Sequence, residues 1–198
     1  MQIKILDKKE DLALCPWVAI DHLLWGTKSI PSTRAKIGFL PGTGFLVKMT
    51  CMEKDPQRNH TKPNSMVYRD SAMETFLMIG GEGSVYLNLE MNANGAVLGQ
   101  LGKERLGRTP LTLEQIESCH CKAEVLKDCW SVEVTIPLSL LEELTDNTDL
   151  KAGSQVSLNF YKISEDPAIE HYASYSMIDS EMPNFHLPEF FEPSKLSK

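Results

Sequence analysis

The feature that most constrains this fold is strict alternation of apolar and polar residues in four separate runs. Phe45, Val47, Met49 and Cys51 alternate with Leu46, Lys48 and Thr50. Val85, Leu87, Leu89 and Met91 alternate with Tyr86, Asn88, Glu90 and Asn92. Trp130, Val132, Val134 and Ile136 alternate with Ser131, Glu133 and Thr135, and Val156, Leu158 and Phe160 with Ser157, Asn159 and Tyr161. Side chains two apart share one face of a strand, whereas a helix needs spacings of three and four. Each run therefore predicts a strand with one face toward a core and one toward water. Shorter candidates lie at residues 2–6, 35–40, 74–79 and 97–101.

Turn signals separate these runs: Pro41-Gly42-Thr43-Gly44, Gly80-Gly81-Glu82-Gly83, Asn92-Ala93-Asn94-Gly95 and Lys151-Ala152-Gly153. One short helix is expected at residues 137–144, opened by a first-turn proline, and a second around 111–117. Eight or more strands with one or two short helices predict an all-β chain, an antiparallel β-sandwich of jelly-roll or immunoglobulin-like kind. Residues 1–198 read as one domain. Residues 52–66 form a polar, aperiodic loop of the length that compact domains reserve for function or mobility. From about residue 181, Pro183, Pro188 and Pro193 alternate with Phe185, Leu187, Phe190 and Phe191. The prolines exclude a helix or a central strand, while the aromatics predict a tail docked along the body.

Charge removes several functions. The 20 basic and 27 acidic residues give a net charge of −7, which disfavours a nucleic-acid phosphate backbone or an anionic membrane as partner. The longest apolar run, residues 13–20, contains Pro16 and falls far short of a membrane span. With no signal-peptide pattern at the start, the expected location is cytoplasmic. Five cysteines, an odd number, fit a reducing compartment. Cys119-His120-Cys121 lacks a second pair at zinc-ligand spacing, and alternation would put its two thiols on one strand face and the imidazole on the other. Free thiols are the expectation. The acidic turn Asp146-Asn147-Thr148-Asp149 lacks the glycine and distal glutamate of a calcium loop, so it reads as a helix exit, and no cofactor is expected. Gly95 to Gly107, with Lys103, Arg105 and Arg108, lacks the Gly-Lys-Ser/Thr of a phosphate loop and reads as a basic hairpin bordering a site.

The polar strand faces carry the candidate chemistry. Tyr86, Asn88, Glu90 and Asn92 stand in one row, and Ser157, Asn159 and Tyr161 in another, with Lys162 and His171 following. Amides and carboxylates bond ring hydroxyls in donor–acceptor pairs, and an aromatic plane covers the apolar face of a pyranose. The alternative is a solvated outer face. Asp70, Glu74 and Glu90 also admit a glycoside hydrolase with Glu74 or Glu90 as the working carboxylate, although no local motif fixes an acid–nucleophile pair.

The order of short motifs adds a resemblance. Pro16-Trp17, Pro31-Ser32-Thr33-Arg34-Ala35, the run from Val67 to Phe76, and Tyr86 to Asn92 followed by Gly95 come first. Trp130-Ser131-Val132 leading to Ile136-Pro137-Leu138, Asn159-Phe160-Tyr161-Lys162, His171-Tyr172 and the run from Pro183 to Glu189 complete the series. Over roughly residues 16–192 the chain resembles the family 9 carbohydrate-binding modules, specifically stand-alone bacterial family-9-like proteins. The resemblance implies an antiparallel sandwich that holds a mono- or oligosaccharide in an aromatic-lined slot without cleaving it. It implies roles in the slot for Arg69, Asp70, Glu74, Asn88, Glu90, Asn159, Tyr161, Lys162 and His171. Tyr175 stands where such relatives tend to carry tryptophan, which makes Trp25 the better stacking platform. Trp130 belongs to the core. Related sandwiches can also carry haem on Met and His, and the nine Met and five His of this chain leave that reading open.

Overall fold

The computed structural model describes residues 1–81, 83–146 and 149–198. Asn147 and Thr148 of the acidic turn, and Glu82 of the glycine-rich turn, lie outside the described residues. Among the described residues the first seven of fourteen strands are β1 (Gln2–Ile5), β2 (Val18–Ala19), β3 (His22–Leu23), β4 (Thr33–Leu40), β5 (Gly44–Cys51), β6 (Ala72–Met78) and β7 (Tyr86–Asn92). After them come β8 (Val97–Gly102), β9 (Thr109–Pro110), β10 (Lys122–Val125), β11 (Trp130–Pro137), β12 (Gln155–Ser164), β13 (His171–Ser174) and β14 (Glu192–Ser197). Among the described residues two short α-helices, α1 (Leu113–Ser118) and α2 (Leu138–Leu141), form at the segments expected from sequence, α1 running one residue beyond its segment. Thr112 caps α1 in a reciprocal box with Gln115.

The strands form one curled sheet in the order β10-β11-β5-β4-β1-β14-β12-β6-β7-β8-β9, with β13 and β3 added at β12 and β2 at β4. The two halves fold over one another, so apolar rows from each meet in a shared core. Ala35, Ile37, Phe39, Val47, Met49, Val132 and Val134 from one half pack with Met73, Leu77, Leu87, Leu89, Leu158 and Phe160 from the other. The predicted alternation supplies Val47, Met49, Val132, Val134, Leu87, Leu89, Leu158 and Phe160 of those rows. At the β4–β5 hairpin Gly44 has φ 130°, and a Cβ there would sit 2.0 Å from the Ile136 carbonyl oxygen, so only glycine fits.

Three expectations need correction. The sheet is mixed, because β1 pairs in parallel with both β14 and β4. The tail does supply a central strand: β14 lies between β1 and β12. Pro193 is tolerated because it sits at the start of β14, opposite Ser157 of β12 and beyond the stretch that β1 pairs. The third correction concerns water. Every residue of β6 and β7 is buried on both faces, because the segment before β4, the loop before β6 and the tail form a further layer over the sheet. A second apolar cluster there joins Leu24, Phe76, Tyr86, Tyr161, Ile163, Tyr172, Phe185 and Phe191.

Around residue 119 the chain also differs from expectation. Cys119 is the C-cap of α1 and His120 adopts a left-handed φ of 47°, so no strand carries the Cys-His-Cys cluster. All five cysteines are free thiols. Among the described residues no three His, Cys, Asp or Glu side chains converge so as to hold a metal ion.

Candidate functional site

The slot is built on the face of β12-β6-β7-β8 that turns away from the main core. Strand register sets its floor in rows. Tyr161, Glu74, Glu90 and Leu98 are successive cross-strand partners, and the next row is Asn159, Phe76, Asn88 and Gln100. Directly opposed side chains on one face of an antiparallel pair stand about 4.5–5.5 Å apart at Cβ. Glu74 and Glu90 are therefore neighbours. Both are almost fully buried, at 2% and 6% exposure.

Loops raise walls around this floor. Trp25, Tyr68, Tyr172, Phe185 and His186 surround a cleft of about 320 Å³, with Arg105 and Glu165 at its rim and Gln100 on the floor. Trp25 adopts a left-handed φ of 47° ahead of Gly26 at 82°, a conformation that costs a residue with a Cβ roughly 1–2 kcal/mol. Its indole Nε1–H donates to the Ser180 carbonyl at 2.8 Å, and its ring meets Tyr172 edge-on at 5.5 Å and Phe185 at 5.3 Å. The tail thus holds the indole in place. Arg105 also fastens the tail, donating to the Pro183 carbonyl at 2.9 Å.

A relay behind the floor orients one carboxylate. Arg108 lies over Gly102, where a Cβ would meet its side chain at 2.9 Å, and its guanidinium covers the Tyr86 ring at 4.3 Å. It donates to Asn88 Oδ1 at 3.0 and 2.6 Å, which fixes the amide so that Nδ2 donates to Glu90 Oε1 at 2.9 Å. The other oxygen of the carboxyl, Glu90 Oε2, is buried and has no hydrogen-bond partner among the described residues. Burial first, then the Glu165 charge, pushes Glu90 up to about 8, although Arg108 and Asn88 oppose the shift. Burial and the Glu90 and Glu165 charges raise Glu74 well above the usual carboxylate range. His186 is held neutral, lowered to about 3 by burial and by Arg108 and Arg105, and pairs through Nδ1 with the Tyr86 hydroxyl at 3.0 Å.

The family-model comparison matches residues 3–196 to carbohydrate-binding family 9. The chain belongs to that family. Solved structures agree in fold. A candidate carbohydrate-binding protein from Bacteroides uniformis superposes with a TM-score of 0.85 at 21% identity, covering 100% of this chain and 98% of that one. A family 9 module from Caldicellulosiruptor kristjanssonii in complex with cellotriose has a TM-score of 0.66 at 14% identity, covering 99% and 93%. The same organism's module in complex with glucose gives 0.66 at 14%, covering 100% and 96%. No curated protein matches the chain.

Within this family 9 chain the residues singled out from sequence separate into three groups. Trp25, Glu74 and Glu90 line the slot, and Asn88 and Tyr161 lie beneath or beside it. Tyr161 stacks on Phe185 with centroids 4.1 Å apart and donates its hydroxyl to the Phe185 carbonyl. The second group holds loops. Asp70, fully buried, accepts from the backbone N–H groups of Asn59 and His60 at 2.8 and 2.9 Å and from Asn92 Nδ2 at 2.8 Å. It thereby pins the polar loop before β6. The neighbouring Arg69 offers its carbonyl to Gln57. Asn159 bonds both ways to the backbone of Ser176, just after β13.

The third group sits on the far side of β12. Lys162, fully buried, donates to Ser71 Oγ at 2.7 Å, lies 2.8 Å from His171 Nε2, and faces Glu53 Oε2 at 3.9 Å. Glu53 also accepts from Ser71 and from Trp130 Nε1. The odd–even position of Lys162 on β12 matches Leu158 and Phe160 on the core face, so it points away from the slot. Tyr175 packs on Phe160 at 6.1 Å, again outside the slot. Gln100 and Glu165 line the cleft although sequence reasoning did not single them out, and Tyr68, Tyr172 and Phe185 line it from segments it marked without assigning them to the slot. Arg105 and His186 stand in segments it did mark.

Proposed function

We propose that this cleft binds a mono- or short oligosaccharide and leaves it intact. The observation that carries the reading is Glu90 Oε2, a buried polar atom with no partner among the described residues, held in place by Asn88 and Arg108 in a cleft that the indole of Trp25 also lines. A buried polar atom left unmatched costs roughly 1–3 kcal/mol, and a ring hydroxyl, which can both donate and accept, recovers that penalty. Gln100, Arg105 and Glu165 add further donors and acceptors at the sides, and the aromatic wall covers C–H faces of a pyranose. Family membership and the glucose and cellotriose carried by two structural neighbours support the same reading. The cleft is at the small end of ligand sites, which span roughly 300–1,000 Å³, and so suits one or two rings.

Hydrolysis fits the arrangement poorly. Glu74 and Glu90 rise from adjacent strands of one floor and meet a ligand from the same side, whereas glycosidases set their two carboxyl groups on either side of the scissile bond. The test is calorimetric titration with mono-, di- and trisaccharides, run beside a product assay on the same samples. Saturable binding with intact sugar is expected, and Trp25→Ala weakens it at least about tenfold while the fold survives. Silence across the panel overturns the proposal, and released product replaces it with catalysis.

A further inference from the structure

The charge lining this cleft is unbalanced for a neutral sugar. Three carboxylates face it, Glu74 from β6, Glu90 from β7 and Glu165 from the end of β12, against one guanidinium, Arg105, whose Nη1 is committed to the Pro183 carbonyl. The other charged or titratable neighbours do not correct this. Arg108, in the β8–β9 loop, is engaged with Asn88, with the Tyr86, Gln100 and Glu104 carbonyls, and with the Tyr86 ring. His186 from the tail is neutral and paired with the Tyr86 hydroxyl. Tyr68, Tyr161 and Tyr172 bring uncharged phenols, all with raised pKa values. Lys162 sits on the opposite face of β12 and interacts with Ser71, His171 and Glu53.

Two buried carboxylates directly opposite one another repel. Hydroxyl groups relieve an unpartnered acceptor but not this repulsion; only a proton or a bound cation does that. The three glutamates do not converge closely enough to hold a metal ion. A ligand carrying an ammonium group has both properties the site lacks, a positive charge and several N–H donors for Glu90 Oε2 and its neighbour. Resting on the saccharide reading above, we propose that the cleft selects an amino sugar, with its ammonium seated between Glu74 and Glu90 and its ring against Trp25.

The consequence is a proton count. Seating an ammonium favours the ionised pair, so a carboxyl proton held by the free protein is expelled on binding. Affinity then rises with pH for as long as the ligand amine stays charged. A neutral sugar, bound by the protonated pair, releases none.

The experiment needs only the intact chain. Glucosamine, N-acetylglucosamine and glucose, with the corresponding galacto series, are titrated calorimetrically at neutral pH in two buffers of different ionisation enthalpy. The expected result is an amine bound about tenfold or more tightly than its hydroxyl and acetamido counterparts, equivalent to roughly 1.4 kcal/mol, with proton release seen for the amine alone. Glu90→Gln collapses that ratio toward one. Hydroxyl or acetamido sugars bound as tightly as the amine in both series overturn the inference and leave saccharide binding standing. If no sugar of either series binds, the underlying reading fails and the inference fails with it.

Discussion

Single residues in this chain carry duties that depend on which face of a strand they occupy. Glu90 was visible in the sequence as a member of a polar row and Glu74 as a candidate carboxylate, but their direct opposition across β6 and β7 was not, because register is set by partners far apart in sequence. Their buried state has a thermodynamic signature. Glu90 is pushed up to about 8 from an unfolded value of 4.5, so between these values the folded state holds more protons than the unfolded one, and stability falls as pH rises. His171 and His186, lowered to about 4 and about 3 from 6.5, act in the opposite sense, removing stability as pH falls below about 6.5. From about pH 6.5 to 8 the histidine effect is spent and the carboxylate effect continues. Glu90→Gln is therefore expected to gain on the parent protein across that window, by on the order of 2 kcal/mol. Urea unfolding of both proteins at pH 6.5 and 8 measures the gain; a constant difference between them contradicts it.

At the level of elements, β12 separates two polar systems that share neighbouring residues. Tyr161 serves the slot side, while Lys162 serves a buried network with Ser71, His171 and Glu53 between the strand and the start of β6. The sequence placed both in one motif, and only the period of two told them apart: an even-numbered neighbour of Leu158 and Phe160 belongs to the core. Lys162→Met removes the charge facing Glu53, leaving the carboxylate to the neutral donors Ser71, Trp130 and Cys51. Breaking one side of a buried ion pair costs about 3–5 kcal/mol. At 3.9 Å and with Glu53 partly exposed, the lower end of that range is expected. Chemical denaturation gives the value, and Glu53→Gln added to Lys162→Met should recover part of the loss. Saccharide affinity is expected to change little, since this network lies across the strand from the cleft.

For the whole molecule, the alternating runs made an all-β sandwich legible, and the helix after Pro137 followed from its first-turn proline. Closure was not legible. Pro193 argued against a central strand, yet residues 192–197 complete the sheet between β1 and β12, with Leu196 buried to 1% exposure. Pairing between the two ends of a chain leaves no local pattern to read. Removing residues 192–198 exposes the edges of β1 and β12 together, and the truncated chain is expected to lose its cooperative thermal transition and its near-ultraviolet circular dichroism. A sharp transition near that of the full chain would refute this role. The same closure determines how the molecule bears load. The first strand and the last lie side by side in parallel, Gln2 beside Lys195 and Lys4 beside Ser197, so the chain leaves the pair at opposite ends. Tension applied through the two termini therefore slides one strand along the other and strains all their hydrogen bonds at once, instead of peeling them apart in turn, which makes the seam between first and last strands the molecule's mechanical clamp.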